Sequence, residues 1–138
     1  MKIYTIGYGG RAPTELTKAL VARGIRAVVD VRLRPDRSSM GIYAKAKDPA
    51  KGIQGLLTKA GIQYFSIVEL GNIFMEMEDW AERYQRLIER AGDLLTERLW
   101  QVPVPFCLMC AEKDVSNCHR SLIAAHLVSR GHEVEHIS

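Results

Sequence analysis

The chain predicts an α/β domain, a mostly parallel open sheet of about five strands with helices on both faces. Three observations carry this. Short apolar runs alternate with amphipathic stretches along all 138 residues, and a Gly or Pro marks most of the changes between them. A third is that the residues able to do chemistry follow the apolar runs instead of being scattered.

Ile3-Tyr4-Thr5-Ile6 is the first strand, and it ends in Gly7-Tyr8-Gly9-Gly10. Pro13 marks a helix start, with Leu16, Ala19, Leu20 and Arg23 at helical spacing and Gly24 as the stop. Ala27-Val28-Val29-Asp30-Val31 is the best strand, rich in β-branched residues. The polar stretch from Arg32 to about Pro49 is too long for an ordinary connection and suits a functional lid or mobile loop. Gly52 to Ala60 forms a helix stopped by Gly61, and Ile62 to Val68 another strand. Trp80, Tyr84, Leu87, Ile88, Ala91, Leu94 and Leu95 trace one apolar helical stripe. Val102 to Met109 is a strand whose pairing begins after Pro103 and Pro105. A helix from about Cys118 to Arg130 ends at Gly131, and Glu133 to Ile137 closes as a short strand.

The length suits one domain, residues 1–138, which buries its core without disulfide staples. A net charge of +3 is too mild to demand a nucleic-acid partner, because a basic footprint must be clustered to count. The three cysteines, Cys107, Cys110 and Cys118, are odd in number and crowded together, unlike a secreted disulfide framework. No signal-peptide pattern and no apolar run of membrane-spanning length is present, so the expectation is a cytoplasmic protein with no membrane partner.

Ligands of open α/β sheets bind outside the carboxyl ends of the strands. The first strand delivers Gly7 and Arg11 there, the second Asp30, Arg32 and Arg34, and the third Glu69, Gly71 and Asn72. The fourth delivers Cys110, Glu112 and Lys113, then Cys118-His119-Arg120. The polar residues therefore gather at the expected binding edge without having been chosen for it.

Thr5-Ile6-Gly7, Val29-Asp30-Val31-Arg32, Gly61-Ile62-Gln63-Tyr64, Glu69-Leu70-Gly71, Leu108-Met109-Cys110-Ala111-Glu112, Cys118-His119-Arg120 and the Gly131-to-Ile137 segment resemble signatures of the DUF488 family. The resemblance spans nearly the whole chain and implies a fold and a site, but no activity. The chain departs from it with Gly7-Tyr8-Gly9 where the family commonly has Gly-His-Ser. It also has Leu70-Gly71-Asn72 where Leu-Gly-Gly is frequent.

Cys118 is the leading candidate nucleophile. At the first turn of a helix the unpaired N–H groups and the dipole favour a thiolate, and Arg120 and a protonated His119 would favour it further. The competing reading is a small cysteine packed beneath the loop. If Cys110 faces Cys118, the two form a reversible disulfide or share a ligand. Alternation sends Cys107 to the opposite face and into the core. Structural zinc on Cys107, Cys110, Cys118 and His119 is disfavoured, since Cys107 lies within an apolar strand and Cys118 and His119 are adjacent.

Arg32 and Arg120 suit a phosphate or carboxylate, with surface charge as the alternative and Arg34 the weakest of the three arginines. Asp30, after three apolar residues, is expected to orient an arginine or act as a base. Glu112 and Glu69 are candidate acid/base residues; Gly7, Gly71 and His119 join Arg32 and Arg120 as ligand-binding candidates. Gly7-x-Gly9-Gly10 lacks dinucleotide spacing, so neither a cofactor nor a metal is expected.

The function expected is a small enzyme acting on a phosphorylated or nucleotide-like ligand, or on nucleic acid, with Cys, Glu and Arg residues. Two alternatives stand beside it. One is a non-catalytic nucleotide or nucleic-acid binding module with the Arg32-to-Lys51 loop as its contact. The other is a Cys110/Cys118 redox switch.

Overall fold

The computed structural model describes residues 1–138. Five strands form one parallel sheet: β1 (Lys2–Gly7), β2 (Ala27–Asp30), β3 (Gln63–Ser66), β4 (Phe106–Cys110) and β5 (Glu133–Ile137). Their spatial order is β3-β2-β4-β1-β5. Four helices connect them: α1 (Pro13–Ala22), α2 (Gly52–Lys59), α3 (Trp80–Leu95) and α4 (Arg120–Ser129).

The order explains the layering. The chain moves one way across the sheet from β1 to β2 to β3, then reverses through β4 to β5. Right-handed crossovers put the helices of the two directions on opposite faces. Leu16 and Leu20 of α1 and Ile53 and Leu57 of α2 accordingly share one core with Ile6, Val28 and Met109. Tyr84 and Ile88 of α3 and Ile123 and Leu127 of α4 share the other with Ile3, Val29 and Leu108. The neighbours β2 and β4 send their connections to opposite faces, as do β4 and β1. A crevice therefore opens at the carboxyl ends around β4.

Several boundaries differ from the sequence reading. The last helix starts at Arg120, not Cys118, because a short 3-10 turn over Val115–Asn117 precedes it. Leu94, assigned to the apolar stripe, is exposed. The long loop after β2 carries a 3-10 turn at Gly41–Tyr43 and is anchored there. Tyr43 is buried against Tyr8, with ring centroids 4.5 Å apart, and donates to the Arg11 carbonyl at 2.7 Å.

Candidate functional site

A cavity of about 460 Å³ opens at the carboxyl edge of the sheet. Every strand-to-helix connection of the four contributes a wall: Tyr8, the arginines after β2, Asn72 to Trp80, and the Cys110–His119 loop. Among the sequence-derived candidates it brings together Arg32, Cys110, Glu112, Cys118 and His119.

Asp30 is the last residue of β2, where three buried apolar neighbours carry its side chain inside; it is 0% exposed. Arg32 answers it with a two-point grip, Nε to Oδ1 at 2.8 Å and Nη2 to Oδ2 at 2.6 Å. The Arg32 backbone N–H adds a third bond at 3.1 Å, and the Tyr64 hydroxyl donates to Oδ2 at 2.6 Å. Arg32 also gives Nη1 to the Tyr8 hydroxyl at 3.1 Å. Burial works against its charge, but the bonds and charge of Asp30 outweigh that and hold Arg32 above its ordinary pKa. Burial and then the Asp30 charge push the Tyr64 hydroxyl up as well. Arg32 therefore reaches the cavity with its charge already balanced. Arg34 and Arg37, both exposed on its wall, make no ion pair.

Across the cavity Cys110 and Cys118 meet sulfur to sulfur as a disulfide. Their Cα atoms are 7.7 Å apart, wider than the roughly 4.4–6.8 Å of a relaxed bridge. Cys107 lies in the other core layer, and burial pushes its thiol far up.

The surroundings of the two sulfurs differ. Cys118 precedes α4 and its Sγ accepts the Arg120 backbone N–H at 3.5 Å. His119 turns Nε2 to the Val31 carbonyl at 3.0 Å, which fixes the proton on Nε2. Its bare Nδ1 then faces Cys118 Sγ at 3.8 Å. Burial pushes the His119 pKa down, the bond to Val31 notwithstanding, so the imidazole is neutral and does not give Cys118 the support that a protonated ring would.

Arg120 is 1% exposed and no carboxylate pairs with it. Its guanidinium gives Nε to Cys110 Sγ at 3.1 Å, Nη1 to Thr5 Oγ1 at 2.9 Å and Nη2 to the Glu112 carbonyl at 2.8 Å. Burial pulls its pKa down. Thr5 in turn meets His136 Nδ1 at 2.6 Å.

Gly7 and Gly71 lie behind the walls of the cavity and allow close backbone approach. A Cβ on Gly7 would collide with the Glu112 carbonyl that Arg120 holds, and one on Gly71 would come within 2.6 Å of Leu33 Cα. Glu69 is elsewhere. It is bound by Arg98, whose Nε donates at 2.6 Å, and this bond holds its carboxyl below the ordinary range.

Sequence reasoning missed Tyr64, Thr5, Arg37, Met75 and Glu76. Tyr64 shares a face of the sheet with Asp30 through the β2–β3 register, Val28 opposite Tyr64. Alternation gives that face, but only the strand pairing gives the neighbour. Thr5 is a lone polar residue inside an apolar strand, which signals a buried partner without naming it.

No group of three or more His, Cys, Asp or Glu side chains is placed to hold a metal ion. No helix is long and apolar enough to cross a membrane. Comparison with curated proteins and with solved structures finds no match. A family model described as a domain of unknown function, DUF488, matches residues 13–127 of the 138, and the chain belongs to that family.

Proposed function

We propose that the cavity is the active site of a small thiol-dependent enzyme of the cytoplasm, with the Cys110–Cys118 pair as its redox-active group. Its ligand is anionic, of the phosphorylated or nucleotide-like class. The observation that carries this reading is the meeting of the two sulfurs on the wall of a cavity that also holds two unpaired arginines. Arg34 and Arg37 suit a phosphate or carboxylate. Trp80 and Met75 offer an apolar wall to the body of the ligand.

Two facing thiols support two-electron exchange. The reduced pair gives up two electrons and two protons and closes to a disulfide, while a disulfide in the ligand opens to two thiols. Glu112 stands on the rim as a proton carrier for the thiols released.

The test offers the reduced protein two disulfides of similar size and opposite charge, 3,3′-dithiodipropionate and cystamine. Rates are taken relative to a free cysteine peptide. The dicarboxylate should react roughly tenfold faster, and Arg34→Gln with Arg37→Gln should erase that preference. ADP should slow the reaction by occupying the cavity. Equal rates for the two reagents, or a pair that never cycles, would overturn the reading.

One observation favours a second reading as a nucleic-acid binding module. Arg34, Arg37, Lys45, Lys47 and Lys51 are all exposed along the loop after β2. Such a module would bind single-stranded DNA with a steep dependence of log affinity on log salt, unchanged in Cys118→Ser.

A further inference from the structure

The two sulfurs of the pair stand in unlike surroundings, and those surroundings assign them an order. We propose that Cys110 makes the first attack on the ligand and that Cys118, served by His119, resolves the mixed disulfide. This rests on the redox reading above and reverses the ranking that the sequence suggests, in which Cys118 leads.

The argument begins with Arg120. A guanidinium this deeply buried needs a compensating anion, and its partners are a hydroxyl, a backbone carbonyl and the sulfur of Cys110. Glu112 offers Arg120 its carbonyl while its own side chain is exposed at the rim, so its carboxylate is not the missing partner. Nε lies 3.1 Å from the bridged Cys110 sulfur, and once the bridge is reduced that sulfur is the group able to become the anion. The other buried arginine shows the contrast: Arg32 has Asp30 and needs nothing more. A fixed, permanent cation keeps Cys110 as thiolate, and the thiolate is the form that attacks.

Cys118 has no such cation against its sulfur. What it has is the bare Nδ1 of a neutral imidazole and one backbone N–H. A neutral base leaves the thiol protonated at rest and takes the proton when the sulfur is needed, which is the requirement of a resolving residue. The other titratable groups facing these residues are Tyr84 against His119, Tyr8 and Glu112 on the cavity wall, His136 behind Thr5, and Arg11, Asp114 and the buried Cys107 around Arg120.

The steps balance as follows. Cys110 thiolate attacks one sulfur of R–S–S–R, forming Cys110–S–S–R and expelling R–S⁻. Cys118 passes its proton to His119 Nδ1 and attacks the Cys110 sulfur. The Cys110–Cys118 bond forms, the bond to R breaks, and the second R–S⁻ leaves. It takes up the proton that His119 held, and solvent, by way of Glu112 on the rim, protonates the first. The ligand disulfide is reduced and the dithiol oxidised.

The probe is 5,5′-dithiobis(2-nitrobenzoate), an anionic aromatic disulfide whose thiol is coloured when released. With reduced wild type, a fast release should be followed by a second equivalent as the bridge closes. Cys118→Ser should keep the fast release, stop at one equivalent, and hold the adduct on Cys110 by mass spectrometry. Cys110→Ser should lose the fast phase by about tenfold or more at pH 6.5, where an ordinary thiol is mostly protonated. Cys107, buried in the other layer, stays silent.

In Cys118→Ser the fast phase should persist on the acid side of neutrality, and Arg120→Lys should move its onset to higher pH. If the adduct collects instead on Cys118 in Cys110→Ser, with the fast phase intact, the assigned order is overturned while the redox reading stands. If wild type releases no second equivalent and never closes its bridge, both fail together.

Discussion

The Asp30 carboxylate, with no exposed surface, is met by Arg32 at both oxygens, Nε at 2.8 Å and Nη2 at 2.6 Å. The two residues stand two positions apart on the chain, so β2 delivers the acid inward and the turn that follows folds the arginine back over it. The grip fixes a side chain on the cavity wall by means of one that never touches the cavity.

Removing either partner leaves a buried charge alone. Asp30→Asn should lower stability by about 3–5 kcal/mol, and Arg32→Met by a similar amount. The double variant Asp30→Leu with Arg32→Met should recover much of the loss, because desolvation of two charges largely offsets their attraction. Urea unfolding of the three proteins checks this. A loss under about 1 kcal/mol for Asp30→Asn would show that the pair contributes little.

Tyr64 completes the same cluster from β3 by donating to Asp30 Oδ2 at 2.6 Å. Tyr64→Phe leaves the acceptor short of a partner and should cost about 1–3 kcal/mol. In a cycle with Asp30→Asn the two losses should fall short of additive, since both act on one carboxylate. Strict additivity in urea unfolding would mean that the hydroxyl acts elsewhere.

Gly7 carries a prediction of a different kind. Gly7→Ala drives a Cβ into the Glu112 carbonyl, a backbone atom that cannot swing aside, and toward Arg120 Nη2. The loop bearing Cys110 and Glu112 must shift, with an expected cost of about 1–3 kcal/mol. Thiol exchange should slow more than this loss implies, because Arg120 loses its hold on the loop. Gly41→Ala, which meets no atom within 4 Å, is the neutral control. Equal exchange rates in the two variants would detach Gly7 from the site.

How much of this was legible in the chain depends on range. The inward turn of Asp30 follows from three apolar neighbours and a period of two, and both are local. The placing of Cys107 in the layer opposite Cys110 follows from the same period. Strand-helix alternation gave the parallel sheet, since parallel strands need crossovers. What the chain did not specify was the spatial order of the strands. The order β3-β2-β4-β1-β5 puts Tyr64 beside Asp30 and Thr5 within reach of Arg120, although 115 positions separate the latter pair. The meeting of Cys110 with Cys118 depends on the path of the seven-residue loop between them, which composition does not specify. The help that a protonated His119 would give Cys118 is lost through its burial beneath Val31 and Tyr84, which is tertiary.

That burial makes the stability of the protein depend on pH in a stated sense. The folded His119 binds its proton at lower pH than the ordinary value of 6.5 that it regains on unfolding. Between the folded and unfolded values the unfolded chain holds more protons, so stability rises with pH through that window. It is fully present above about 6.5 and lost as pH falls toward the folded value, with about 1.4 kcal/mol at stake per unit of depression. His136 is lowered by partial burial in the same sense and contributes with the same sign. Urea unfolding from pH 7.5 down to pH 5 should show this decline in wild type. His119→Gln should flatten most of it, and His136→Gln only a minor part. A slope that survives His119→Gln unchanged would place the buried base elsewhere and remove the neutral imidazole from beside Cys118.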